Sequence, residues 1–219
     1  MKSVVFFDVD GTLIKGNVNT TVIWHLYRMR LASSWLLARS AFWYLLWMVG
    51  LYGDLDEIAR RGARELSGIS RAQMDKALEL IFKEHVQKKI FEEGRKLIGD
   101  HRRQGHHVVL LSSSFEPFIE KVARLLGLEE VIATKLALIG GVYTGGLADE
   151  VIGGRKHKVV EAYTKQFQPD EVYAYSDRYQ DVPLLEMATH PVAVNPDMRL
   201  RRFARRRRWP ILIFKRVPV

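Results

Sequence analysis

The stretch "SVVFFDVDGTLI", residues 3–14, constrains the fold more than any other part of this chain. A continuous apolar run of strand length, with no polar alternation, describes a strand buried on both faces, and such strands lie at the centre of parallel sheets. The run ends in two carboxylates one residue apart, Asp8 and Asp10. The same pattern returns in "HHVVLLSSS" (106–114), "EVYAYSD" (171–177) and "PVAVNPD" (191–197). Between these runs, "FEPFIEKVARLLGLEE" carries apolar residues at helical spacing with a glycine stop at Gly127, and "HKVVEAYTKQF" and "DVPLLEMAT" also read as helices. Strands alternating with helices predict an α/β fold, a doubly wound parallel sheet. Ligands bind such sheets outside the carboxyl ends of the strands, where Asp8 and Asp10 fall.

Residues 15–92 break the alternation. "NTTVIWHLYRMRLASSWLLARSAFWYLLWMVGLYG", "DLDEIARRGARELSG" and "SRAQMDKALELIFKEHVQKKIF" read as helices, the third opened by Ser70 as N-cap. The expected organisation is a core of residues 1–14 and 93–219, with a helical domain, 15–92, inserted after the first strand. Paired glycines flanked by β-formers in "LALIGGVYTGGLADEVIGG" (136–154) predict a small hairpin.

Four polar stations line the predicted edge: Asp8 and Asp10; Ser112, Ser113 and Ser114; Lys158 or Lys156, with the spacing to the following apolar helix favouring Lys158; and Asp177 with Asp181. Carboxylates this close do not all stay ionised without a cation. Oxygen-only ligands favour Mg²⁺ over zinc, and Mg²⁺ commonly binds phosphate as well. Lysine, hydroxyls and loop amides supply further positive potential for a phosphoryl group. These residue types fit phosphoryl transfer, with one carboxylate free to act as nucleophile.

"DVDGT", "SSS", the lysine and "SDRYQD" resemble, in order, the four motifs of the haloacid dehalogenase superfamily of phosphohydrolases. With the helical insertion after the first motif and "YSDRYQDVPLLEMATHPVAVNPD", the chain is similar to the phosphoserine-phosphatase-like branch along essentially its whole length. The resemblance implies a Rossmann-like core, a helical cap, Mg²⁺ as cofactor and an aspartyl-phosphate mechanism. It implies Asp8 as nucleophile and Asp10 as general acid and then base. Ser112, Ser113 and Lys158 would hold the phosphoryl oxygens, and Gly11 and Thr12 would let loop amides approach them. The metal set would be Asp8, Asp10, Asp177 and Asp181, with Asp10 contributing its backbone carbonyl and Asp181 alternatively orienting the lysine. The chain departs from the branch at Ser113 and Ser114, where two glycines are usual, and at Ser176-Asp177-Arg178, where Gly-Asp-Gly is common. The branch's ammonium-binding glutamate corresponds to Asn17, and a carboxylate-binding cap arginine to Arg60.

Plainer readings stand beside these. Asp8 and Asp10 could be turn or helix caps, and the serines a helix cap, although a helix N-terminus is itself an anion site. The seven histidines show no metal-ligand spacing. The chain has no cysteine, and Met1-Lys2 leads into a strand with no cleavage site, so a reducing, cytoplasmic setting is expected. Of the formal net charge of +9, seven arginines of "RLRRFARRRR" (199–208) supply most, so the basicity belongs to the tail. Residues 31–53 are long enough to span a bilayer, but Arg39 interrupts them; Trp35, Phe42, Trp43, Tyr44, Trp47 and Tyr52 would suit either a membrane interface or a buried cap helix. With the arginine tail, this leaves two classes of substrate: a lipid or other partly apolar phosphate handled at an anionic membrane surface, or a soluble amino-acid phosphate. A catalytically weak phosphate-binding module is the rival to an enzyme. Nucleic-acid binding is not expected, because the cations lack an interleaved aromatic platform.

Overall fold

A computed structural model describes residues 3–31, 55–149, 151 and 155–218. The strands are β1 (Ser3–Phe7), β2 (His107–Phe115), β3 (Glu130–Ile139), β4 (Val142–Asp149), β5 (Glu171–Ser176), β6 (His190–Val194) and β7 (Ile211–Leu212). They form one sheet in the order β4-β3-β2-β1-β5-β6-β7, with β1 at its centre, parallel to β2 and β5. All five residues of β1 are buried, as the uninterrupted apolar run requires. The pleat sends Val5 and Phe7 into one apolar cluster and Val4 and Phe6 into another.

The predicted hairpin is there, but it begins earlier than its glycines indicate. Glu130–Ile132 pair in parallel with β2, and the same strand then pairs antiparallel with β4 from Lys135 onward. Gly140 and Gly141 turn it with φ of 58° and 77°, the positive values that a two-residue turn between right-twisted strands needs. The short β7 was not foreseen, since two residues carry no periodicity.

Between β1 and β2 lie α1 (Val18–Arg28), α2 (Leu55–Arg64), α3 (Arg71–Ile81) and α4 (Glu92–Arg103). Ser70 caps α3 through a reciprocal pair with Gln73. The chain then continues as a π turn over Phe82–Val86 and a 3₁₀ turn over Gln87–Lys89, where one unbroken helix was expected. The two connections to this segment run side by side: Lys15 N–H donates to the Lys89 carbonyl and Phe91 N–H to that of Leu13, both at 2.9 Å. Val22, Leu26, Leu66, Met74 and Leu78 from the inserted helices share one cluster with Phe7, Phe115 and Phe118. Backbone bonds tie the segment to the hairpin as well, from Gly68 to Tyr143, Tyr143 to Ile69 and Arg71 to Gly141, at 2.8–2.9 Å.

After β2 come α5 (Glu116–Leu126), closed by Gly127 at φ 67°, α6 (Lys156–Phe167), α7 (Val182–Met187) and α8 (Met198–Arg207). Val160, Leu184, Leu185, Leu200 and Ala204 bring the last three onto the second face of the sheet. The arginines at 199–208 are exposed along α8 and just beyond it, Arg207 paired with Glu186 at 2.6 Å. Of the aromatic stretch 31–53, all but Leu31 lies outside the described residues. No helix among the described residues is long and apolar enough to cross a membrane.

Candidate active site

The chain leaves the sheet at Asp8, whose N–H still bonds the Tyr175 carbonyl of β5 at 3.0 Å. Leu13 and Ile14 N–H both reach back to the Val9 carbonyl, so residues 9–14 close into a tight loop beneath buried Val9 and Leu13. Gly11 has φ 80°, and a Cβ there would stand 2.1 Å from Asp177 Oδ2. Any side chain at this position would both strain the backbone and displace Asp177.

Lys156, at the first turn of α6, reaches Asp8 Oδ1 at 2.5 Å and Asp181 Oδ2 at 2.8 Å. All three are buried. This corrects the expectation of Lys158, which is exposed two residues further along. An α-helix turns 100° per residue, so only one of two lysines spaced by two can face the sheet edge. Asp181 also accepts from Ser176 Oγ at 2.6 Å through the same oxygen that meets Lys156. Thr12 Oγ1 donates to Asp8 Oδ2 at 3.1 Å, so its hydroxyl braces the carboxylate.

Asp10 is held from two sides. Val18 N–H, the first of α1, donates to Oδ1 at 2.6 Å, and Ser114 Oγ donates to Oδ2 at 2.5 Å. Ser114 was seen as part of the serine cluster but not as a partner of Asp10. The register of β2 slips between Leu111 and Phe115, and this irregularity re-aims its three serines. Ser112 is buried and accepts from Ser114 N–H at 3.0 Å. The Ser113 hydroxyl donates to the Val151 carbonyl at 2.8 Å, which leaves its backbone amide as the group expected at phosphate. Asn17 spends its side chain capping α1, accepting from Thr20 N–H at 2.9 Å. Arg60 sits half-buried in α2, which packs on β4. Two further asparagines escaped the sequence reading. Asn19 accepts from Phe115 N–H at 3.2 Å, and Asn195 donates to the Gly11 carbonyl at 3.2 Å. Only the Asn-Pro pair at 195–196 signalled a special turn.

The electrostatics are unbalanced. Buried Asp8, Asp177 and Asp181 share one buried cation, Lys156, with Asp10 alongside. Loss of hydration raises Asp10 to about 6, against the hydrogen bonds from Ser114 and Val18. Burial, then the Asp8 charge, raises Asp177 to about 8. Burial also pushes Asp8 up, while Lys156 pulls it back. Lys156 itself is driven up by Asp181 and Asp8 despite its own burial, so it carries its charge at every ordinary pH. Asp177 Oδ1 is buried with no hydrogen-bond partner, while Oδ2 meets Arg178 Nε at 3.1 Å. An orphaned carboxylate oxygen among excess carboxylates fits a hard divalent cation. Among the described residues no three acidic or histidine side chains converge as a ready cage, so protein carboxylates would fill only part of a coordination shell, as is usual for Mg²⁺.

A family model described as haloacid dehalogenase-like hydrolase matches residues 5–186. The chain is 31% identical to the phosphoserine phosphatase SerB1 of Mycobacterium tuberculosis, over 98% of this chain and 72% of that protein. It is 28% identical to a histidinol-phosphatase of Neisseria meningitidis, over 98% of this chain and all of that one. A Bordetella pertussis protein of unknown function has the same fold, with a TM-score of 0.88 at 23% identity, covering 97% of this chain and 98% of that one.

Proposed function

The chain belongs to the haloacid dehalogenase-like hydrolases, as a phosphatase of the phosphoserine-phosphatase-like branch, and we propose that it cleaves a small phosphate monoester by attack of Asp8 on phosphorus. The observation that carries this reading is the convergence of Asp8, Asp10, Lys156 and Asp177 at the carboxyl ends of β1 and β5.

Asp8 is braced by Thr12 and Lys156 with a carboxylate oxygen at the sheet edge. Its attack forms the bond to phosphorus as the ester oxygen leaves. Asp10, raised to about 6, holds a proton in a useful fraction of molecules near neutral pH and gives it to that oxygen. It then takes a proton from the water that releases phosphate from Asp8. Lys156 offsets charge on Asp8 and on the phosphoryl oxygens throughout. Asp8, Asp177 and the Asp10 carbonyl are the groups that would hold Mg²⁺, which when bound neutralises carboxylate and phosphoryl charge. Helices 15–92 act as the cap, and α1 reaches the chemistry directly by orienting Asp10 through Val18 N–H.

For the substrate we infer a compact phosphate of an amino alcohol or hydroxy amino acid, the class to which the substrates named for the two relatives belong. Asn17, already committed to Thr20, provides no ionic partner for an ammonium group, so another cap group would supply it. Phosphate release from phosphoserine, histidinol phosphate and lysophosphatidate, each with Mg²⁺ and with EDTA, tests the whole reading. The expected result is Mg²⁺-dependent turnover of an amino-alcohol phosphate. Turnover confined to the lipid phosphate, with the protein floating on anionic liposomes at low salt, replaces the substrate class. Full activity in Asp8→Asn or in EDTA overturns the mechanism.

A further inference from the structure

The four stations leave one feature unexplained: the loop carrying Asp8 and Asp10 and the loop carrying Asp177 come from different strands, yet they meet with no room for a Cβ between Gly11 and Asp177. Helix α1 and Ser114 fix Asp10, and Lys156 fixes Asp8 and Asp181. The backbones of the two loops are held together by a third segment, the turn that leaves β6.

Asn195 Nδ2 donates to the Gly11 carbonyl at 3.2 Å. Two residues later, Asp197 N–H donates to the Asp177 carbonyl at 2.9 Å. The Asp197 carboxylate accepts from Tyr179 N–H at 3.0 Å and from Leu200 N–H at 2.8 Å, so it grips the Asp177 loop while capping α8. The turn is rigid. Pro196 separates the two residues, and Asn195 sits at φ 44°, a conformation asparagine tolerates better than most residues. Asn195 is anchored behind as well: its N–H bonds the Leu212 carbonyl, and its Oδ1 accepts from Phe214 N–H at 2.8 Å. One amide side chain therefore bonds the nucleophile loop with its donor end and the C-terminal segment with its acceptor end. Gly11, Asp177, Asn195 and Phe214 are among the residues lining a cavity of about 420 Å³.

We propose that the Asn195-Pro196-Asp197 turn positions the cation site, by pinning the carbonyls of Gly11 and Asp177 to one rigid segment and so setting the distance between the Asp8 and Asp177 carboxylates. The inference rests on the cation reading of the preceding section. Asn195 touches no reacting atom; it acts through Gly11.

Two substitutions separate this role from simple anchoring of the C-terminus. Asn195→Asp keeps size, tolerance of positive φ and an acceptor for Phe214 N–H, but turns an oxygen toward the Gly11 carbonyl. Its added negative charge would by itself tighten cation binding. Asn195→Gly keeps the backbone conformation and loses both bonds. Mg²⁺ titration of full-length protein by calorimetry should show binding about tenfold weaker in both variants, the scale expected for a group that orients ligands. Substrate kcat at saturating Mg²⁺ should fall in parallel. If Asn195→Asp binds Mg²⁺ as the unmodified protein does, and only Asn195→Gly changes by melting earlier, the turn merely ties down the C-terminal segment and the inference is overturned. If the unmodified protein binds no Mg²⁺, the cation reading fails and takes this inference with it. Should Asn195→Gly not fold, the Asn195→Asp titration decides alone.

Discussion

Among the described residues, two clusters of ionisable and polar groups are built on opposite terms. At the carboxyl ends of β1 and β5, Asp8 and Asp181 share one buried lysine, and nearby Asp177, which meets Arg178 through Oδ2, leaves Oδ1 with no partner. Against β5, His101 of α4 is buried with both ring nitrogens engaged, Nε2 with Tyr175 Oη at 2.7 Å and Nδ1 with His106 Nδ1 at 2.8 Å. His106 stacks on Tyr173, Tyr173 on His190, and Tyr175 on Phe7. The second cluster is satisfied within the protein. The first leaves Asp177 Oδ1 without a partner among the described residues. Buried polar groups are normally paired, so a cluster left short of positive charge marks where the fold gives up stability for function.

The two clusters also carry opposite pH signs. Asp10 and Asp177 have raised pKa values in the folded protein, so their contribution to stability is present at low pH and is lost as pH rises from about 4 toward 6 and 8. His101 is lowered by burial, then by His106, from 6.5 to about 4. The unfolded chain binds its proton more readily, so this contribution is lost as pH falls through that window.

The contrast can be broken by substitution. The largest effect is expected at the proposed nucleophile: Asp8→Asn should lower kcat by on the order of 10³-fold or more in a phosphate-release assay, with the fold intact by circular dichroism. Lys156→Met comes next. It leaves Asp8 and Asp181 buried without their cation, so denaturant unfolding should show a loss of about 3 kcal/mol, together with most of the activity. Lys158→Ala, on the exposed side of the same helix, should leave both unchanged; a loss there equal to that of Lys156→Met would restore the original assignment. Asp177→Asn sharpens the comparison by reversing the usual sign of a core substitution. Removing a buried charge that keeps one oxygen without a partner should raise the melting temperature of the metal-free protein at pH 8 while abolishing the further rise that Mg²⁺ gives the unmodified protein. A lower melting temperature would mean that Asp177 is satisfied without a cation. The smallest effect belongs to the histidine cluster. His101→Gln should flatten the dependence of stability on pH between about 4 and 6.5, with kcat within roughly twofold of the unmodified value. A kcat that collapsed would join the two clusters into one functional unit.

The arrangement of helices 15–92 adds a condition to any motion of the proposed cap. Its apolar residues share a cluster with Phe7 and Phe118, and its backbone is bonded to β4 at Tyr143 and Gly141. Opening would therefore carry the hairpin along or break those bonds. The π and 3₁₀ turns over 82–89, beside the paired connections at Lys15 and Lys89, are an irregular helical segment that could absorb a rotation.

The amino-acid sequence alone determined the parallel sheet and where its acidic residues fall. Apolar runs such as "SVVFF" and "HVVLL" suit only strands buried on both faces, and the acids after them can sit only where those strands end. The capping of α3 by Ser70 and the stop at Gly127 were equally local, since each depends on neighbours within four residues. Tertiary structure alone decided which of two lysines meets Asp8, because the phase of α6 against the sheet is set by what the helix buries, and Lys156 shares the buried side with Val160. It decided that Ser114 serves Asp10 while Ser113 turns away, because an irregularity in β2 resets which way each side chain points. It also decided the part played by Asn195, whose two partners stand 184 and 19 residues away in the chain. Periodicity reports the face that a residue occupies. The partner that a polar atom finds across such distances depends on how strands remote in sequence are brought together, and only the folded chain contains that information.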